Sequence, residues 1–233
     1  MAAATSGDQT DERPWAASAD PRFAPSPVDA VVFDLGNVLI RWDPVAAVAG
    51  GVGLDRARAF LTDDEFDFAG WNRQQDAGRG WAEAEAAAVR SHPQWADAVR
   101  AYREHFPRSL TGAVDDTVAI LRELHAQQVP LFALTNWSRE LFPAALERFE
   151  FLDLFEDIVV SGEEGTAKPD PEIFAVLEAR IRHRGSLDDA VFIDDNPDNV
   201  QAAQAAGMDA ILFTDTGHLR EDLRARGLPL RPA

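Results

Sequence analysis

Cysteine is absent from this chain, which removes disulfides, thiolate catalysis and cysteine-ligated zinc from consideration. Lysine is nearly absent too: Lys168 stands alone against 21 arginines. No apolar run approaches the roughly 20 residues that a membrane span needs. Positive charge is outnumbered, with 22 Lys and Arg against 40 Asp and Glu and a formal charge of −18. So acidic a chain lacks the basic face that binds phosphate backbones or anionic lipid, so neither nucleic acid nor membrane is an expected partner. The N-terminus carries no basic stretch followed by an apolar one, and a cytoplasmic location is the expectation.

What is present is ample for a folded enzyme. Hydrophobic residues make up 46% of 233 positions, enough for one substantial core with an insertion. Residues 1–27 are rich in Ala, Ser, Pro, Asp and Thr without apolar periodicity, and are expected to form a disordered tail. Order is expected from Ala30-Val31-Val32-Phe33-Asp34-Leu35, a short apolar run suited to a buried parallel strand. Similar runs follow at 130–134, 157–160, 190–193 and 209–213, separated by helical patterns at about 114–127, 139–149, 171–182, 198–206 and 218–226. Such alternation predicts an α/β fold with a doubly wound parallel sheet, formed by residues 28–44 and 112–233. Residues 45–111 break the pattern. They contain no convincing strand, only Ala-, Glu- and Trp-rich helical segments, and predict a helical cap inserted after the first strand. Its Trp71, Trp81 and Trp95 are expected to fill the cap's own core.

Doubly wound sheets place ligands at the carboxyl ends of their strands. Four polar clusters fall near such ends: Asp34-Leu35-Gly36-Asn37, Thr135-Asn136-Trp137-Ser138, the loop reaching Lys168, and Asp194-Asp195-Asn196. Each alone reads as an ordinary turn or cap. Together they bring three carboxylates, one ammonium and a hydroxyl–amide pair to one edge. Carboxylates this close repel unless a cation binds or one is protonated, and an all-oxygen donor set points to Mg²⁺. A carboxylate beside Mg²⁺ can attack phosphorus and form an aspartyl-phosphate. Lys168 suits such a pocket because an ammonium is a compact point charge where guanidinium is a broad fork.

The segments VVFDLGNVLI, ALTNWS, GTAKPDPEIF and VFIDDNPDNVQAAQAAG, in this order, resemble the four motifs of the haloacid dehalogenase superfamily across residues from about 29 to 225. Most members of that family are Mg²⁺-dependent phosphatases with an inserted cap, and the Asp-Leu-Gly-Asn-Val opening is similar to the α-D-glucose-1-phosphate phosphatase branch. The resemblance implies that Asp34 is the nucleophile. It implies that the Gly36 carbonyl and Asp195 complete the protein's Mg²⁺ ligands, with Asp194 a ligand or its support. Thr135, Asn136 and Lys168 are implied for phosphate. The substrate expected is a small phosphorylated metabolite, a sugar phosphate first.

One position departs from the family. Its phosphatases usually carry a second aspartate two residues after the nucleophile, acting as general acid and base, and here that residue is Gly36. Metal binding survives, because the ligand there is a backbone carbonyl. Proton transfer needs a replacement: a water, Asn37 (which does not titrate) or a residue of the cap. Two rivals to a phosphatase follow, a metal-independent 2-haloacid dehalogenase and a weakly active binding protein on the same scaffold. The Asp194-Asp195 pair counts against the first, since free carboxylates repel a carboxylate substrate.

Overall fold

A computed structural model describes residues 29–232. The tail expected at 1–27 lies outside them. The architecture is a five-stranded parallel sheet with helices on both faces. Its strands are β1 (Ala30–Phe33), β4 (Leu131–Thr135), β5 (Asp157–Val160), β6 (Ala190–Asp194) and β7 (Asp209–Leu212), and all lie within two residues of the apolar runs that predict them. Every residue of β1, β4 and β6 is buried, as expected for strands covered on both faces.

The strand order is β5-β4-β1-β6-β7. After the cap, the chain builds outward on one side of β1 through β4 and β5, then crosses to the other side for β6 and β7. The reversal falls beside β1, and open α/β sheets bind their ligands at such a point. Alternation along the strands divides the core. Val31 and Phe33 join the larger apolar cluster on one face, while Ala30 and Val32 pack with Phe132, Leu134, Phe174 and Phe192 on the other. Helix α6 (Asp115–Ala126) buries Val118, Ile120, Leu121 and Leu124, and α9 (Pro171–Ile181) buries Ile173, Phe174, Leu177 and Ile181. Helices α10 (Pro197–Ala205) and α11 (Thr216–Ala225) complete the covering.

The insertion forms five helices: α1 (Pro44–Val52), α2 (Leu54–Leu61), α3 (Phe68–Asp76), α4 (Trp81–Ser91) and α5 (Ala96–Glu104). Aromatic rings hold them together. Trp71 meets Trp81 edge-on at 5.2 Å between centroids, and Tyr102 packs on both. Trp71 and Trp81 are buried and Trp95 is partly so, resting beside Phe60 with Arg56 over its ring.

Two features differ from expectation. Where the chain enters and leaves the cap, β2 (Ile40–Trp42) and β3 (Leu110–Ala113) pair as an antiparallel ribbon. Strands of three and four residues are too short to show a period. The helix expected over 139–149 shrinks to α7 (Pro143–Leu146). Pro143 has no N–H to donate, so the turn before it cannot continue as α-helix.

Candidate active site

Register builds the site. Phe33 of β1 pairs with Ala133 on one side and Ile193 on the other, so the next residue in each strand meets at the same level. These are Asp34, Leu134 and Asp194. Lys168 reaches all three: its Nζ donates to Asp34 Oδ1 at 2.8 Å, to the Leu134 carbonyl at 2.7 Å and to Asp194 Oδ2 at 2.7 Å. An ammonium has three donors, and here each has an acceptor from a different strand. Lys168 is 2% exposed and Asp194 is fully buried. Burial would lower the lysine's pKa, but the charges of Asp34 and Asp194 overcome it and hold it above the ordinary value.

The rest of the polar edge supports this centre. Asp194 Oδ1 accepts from the Asn196 N–H at 2.8 Å and from Asn199 Nδ2 at 3.0 Å, so both its oxygens have donors. Asn136 is engaged on the lysine's own main chain: its Nδ2 donates to the Lys168 carbonyl, and its Oδ1 accepts the Lys168 N–H, both at 2.8 Å. That arrangement orients Lys168, a job its sequence position did not suggest. Thr135 is buried at the end of β4. Gly36 lies in the turn after β1, which closes as the Leu39 and Ile40 N–H groups donate to the Leu35 carbonyl. Asn37 takes φ +55 there, a left-handed conformation that asparagine tolerates, and its side chain reaches Asp195.

Carboxylate oxygens of Asp34, Asp194 and Asp195 lie within 4.8 Å of one another. Burial raises the Asp34 pKa to about 7; Lys168 opposes the rise, and Asp194 and Asp195 add to it. Burial and the charge of Asp194 also raise Asp195. Such a cluster favours a bound cation, and hard oxygen donors with no sulfur or nitrogen among them fit Mg²⁺.

The cap closes over this edge through the loop after β4. Trp81 Nε1 donates to Ser138 Oγ at 2.6 Å, and the Trp81 N–H donates to Glu140 Oε1 at 2.8 Å. Ser161 Oγ donates to the Asp76 carbonyl at 2.5 Å. Gly78 lies so near Gly165 that a Cβ would come within 3.1 Å of its Cα. Beneath the contact is a cavity of about 110 Å³. Gly36 and Asn136 line it from the sheet, Asn72 and Asp76 from the cap. From the cap and its junction with the sheet, Trp42, Asn72 and Arg73 line this cavity or the wider one sharing its walls. Trp71 belongs to the cap core, and Arg79 pairs with Glu83. Asp76 was missed. The available signal was a carboxylate on the last residue of a helix, where the dipole disfavours negative charge.

A parallel sheet presenting an acidic cluster and one buried lysine at its carboxyl edge, under a helical cap, defines a class of α/β hydrolases. Residues 28–207 match the haloacid dehalogenase-like hydrolase family, and the chain belongs to it. Among its relatives is the sesquiterpene phosphatase astK of Aspergillus oryzae, 30% identical over 190 residues that cover 80% of this chain and 90% of the relative. A phosphoglycolate phosphatase of Rhodospirillum rubrum is 29% identical over 183 residues, covering 77% and 67%. The fold matches a HAD family enzyme from Bacteroides thetaiotaomicron in complex with magnesium and inorganic phosphate, with a TM-score of 0.64 at 22% identity over 82% of this chain and 98% of that one. The chain is a hydrolase with phosphatases among its relatives, and no helix among the described residues is long and apolar enough to cross a membrane.

Proposed function

We propose that this hydrolase is a Mg²⁺-dependent phosphatase that cleaves the phosphomonoester of a small, largely apolar alcohol through an aspartyl-phosphate on Asp34. The observation that carries the reading is Lys168 held between Asp34 and Asp194, with Asp195 beside them. Asp34, the Gly36 carbonyl and Asp195 are the metal ligands in this reading. Asp194 holds the lysine and completes the acidic cluster. Bound Mg²⁺ would neutralise phosphoryl oxygens and keep Asp34 ionised. Asp34 then adds to phosphorus in line with the departing alcohol. Thr135 offers its hydroxyl to a phosphoryl oxygen. Lys168 acts by charge, because its three N–H groups already have protein acceptors. Asn136 keeps it in place.

The cavity favours an apolar alcohol over a sugar. Trp42, Tyr102, Phe106, Trp137 and Leu141 line it, leaving a polyol few partners. The Trp137 indole N–H is buried and finds no acceptor among the described residues. A terpenoid phosphate suits this lining, in keeping with the named activity of the Aspergillus oryzae relative. The dehalogenase alternative must bring a carboxylate substrate to three carboxylates without a cation, which repulsion opposes.

A panel of terpenyl, alkyl and sugar monophosphates, assayed with Mg²⁺ and with EDTA, tests the reading. Terpenyl and alkyl esters should lead, and chelation should abolish turnover. Chelator-resistant release of halide from a 2-haloacid would overturn it.

A further inference from the structure

The family's usual proton donor is missing at Gly36, yet the leaving groups favoured by the cavity are basic alkoxides that need a proton as they depart. A donor must therefore reach the same cavity from elsewhere. The geometry points to Asp76, on the last turn of α3, as the catalytic acid and base of this site, an inference that rests on the phosphatase reading. Asp76 lines the same cavity as Gly36 and Asn136, so a substrate filling that space meets both the strand edge and this residue of the cap.

Its surroundings fix it there and keep it protonated. Asn72 Nδ2 donates to Asp76 Oδ2 at 2.9 Å, and the Ser138 N–H donates to the same carboxyl group. Ser161, the first residue of α8 (Ser161–Glu164) after β5, donates its Oγ to the Asp76 carbonyl and accepts the Trp137 N–H at 2.9 Å, which ties Asp76 to the segment following Asn136. The charged or titratable groups acting across this contact are Arg73 on its own helix and Tyr102 on α5. Burial raises the carboxyl pKa to about 8, and the Ser138 N–H and Arg73 only partly offset it. The C-terminal end of α3 works in the same direction. At neutral pH the group is a neutral acid, the form that donates.

The step balances. A bond forms between an Asp34 carboxylate oxygen and phosphorus while the ester P–O bond breaks, and the Asp76 proton passes to the departing alkoxide oxygen. In the second half, water adds to the phosphorus of the aspartyl-phosphate and Asp34 leaves as carboxylate. The Asp76 carboxylate takes the water's proton and is ready for the next turnover.

The test is kcat/KM of the full chain with Mg²⁺ on two probes, farnesyl monophosphate and 2,4-dinitrophenyl phosphate, for wild type and Asp76→Asn. The amide keeps the shape and polarity but has no proton to give. Farnesyl monophosphate turnover should fall on the order of 10²–10⁴-fold while the dinitrophenyl ester, whose leaving group needs no proton, stays within about threefold. The wild type should lose activity on the farnesyl ester above about pH 8, and the variant should lack that limb. Equal losses on both probes, or a limb that persists in the variant, would overturn the assignment. Should the variant not fold, a graded series of aryl and alkyl phosphates on the wild type decides: a shallow dependence on leaving-group pKa supports Asp76, and a steep one rejects it. Failure of the wild type on every phosphomonoester is a separate result, and it removes the phosphatase reading itself.

Discussion

Asp34 at the sheet edge and Asp76 on the cap are both carboxyl groups lifted far above the ordinary range by burial, to about 7 and about 8. Their neighbours make them opposites. Asp34 faces an ammonium at 2.8 Å and two further carboxylates that together suit a cation, and each cation restores its charge. Asp76 faces an amide, a backbone N–H, one arginine on its own helix and a phenol, and nothing among these compels ionisation. The same side chain thus becomes a nucleophile at the sheet edge and an acid on the cap. Environment, more than residue type, divides the roles.

The largest effect should come from the sheet side. Asp34→Asn removes the attacking oxygen and should lower turnover on the order of 10⁴-fold or more with a nearly unchanged melting temperature, checked by steady-state assay and thermal melt. Turnover within tenfold of wild type would end the covalent account. Next comes the lysine between the carboxylates. Lys168→Ala and Lys168→Arg should both lose about 10²–10³-fold in kcat/KM, because a guanidinium does not fit three acceptors at 2.7–2.8 Å. An arginine variant that keeps most of its kcat/KM would make the lone lysine a compositional accident. Asn136→Ala should cost on the order of 10- to 100-fold, chiefly in kcat, since it frees the main chain of Lys168.

The remaining effect is read as a slope in stability rather than in turnover. The folded Asp76 pKa of about 8 lies above the ordinary carboxyl value of about 3.9. Its contribution is therefore full below about pH 4 and is lost as pH rises through about 8. Wild type should lose melting temperature relative to Asp76→Asn between pH 5 and 8. Parallel curves would contradict the protonated state assigned to the cap carboxyl.

The two regions also differ in how far the sequence reveals them. Asp34, Thr135 and Asp194 each end or directly follow an apolar run, so locating strands β1, β4 and β6 located them too. The register that brings them level comes from the fold, but parallel strands of similar length leave it little choice. Lys168 was legible by its rarity. Asp76 was not, because its role needs α3 packed on the Ser138 loop, a contact between residues more than 60 positions apart that no local period records. The family resemblance implies Asn136 for phosphate, and the fold adds that both ends of its amide engage the Lys168 main chain. The β2–β3 ribbon escaped for want of length, and the shortened α7 because Pro143 outweighs an otherwise helical stretch.

The most direct test of the whole account is mass spectrometry of the peptide containing Asp34, taken from wild type quenched during turnover of farnesyl monophosphate with Mg²⁺. The account predicts one phosphoryl group on Asp34, lost on treatment with hydroxylamine and absent when EDTA replaces the metal. Steady turnover with that peptide unmodified, or a phosphoryl group carried by another residue, would contradict it.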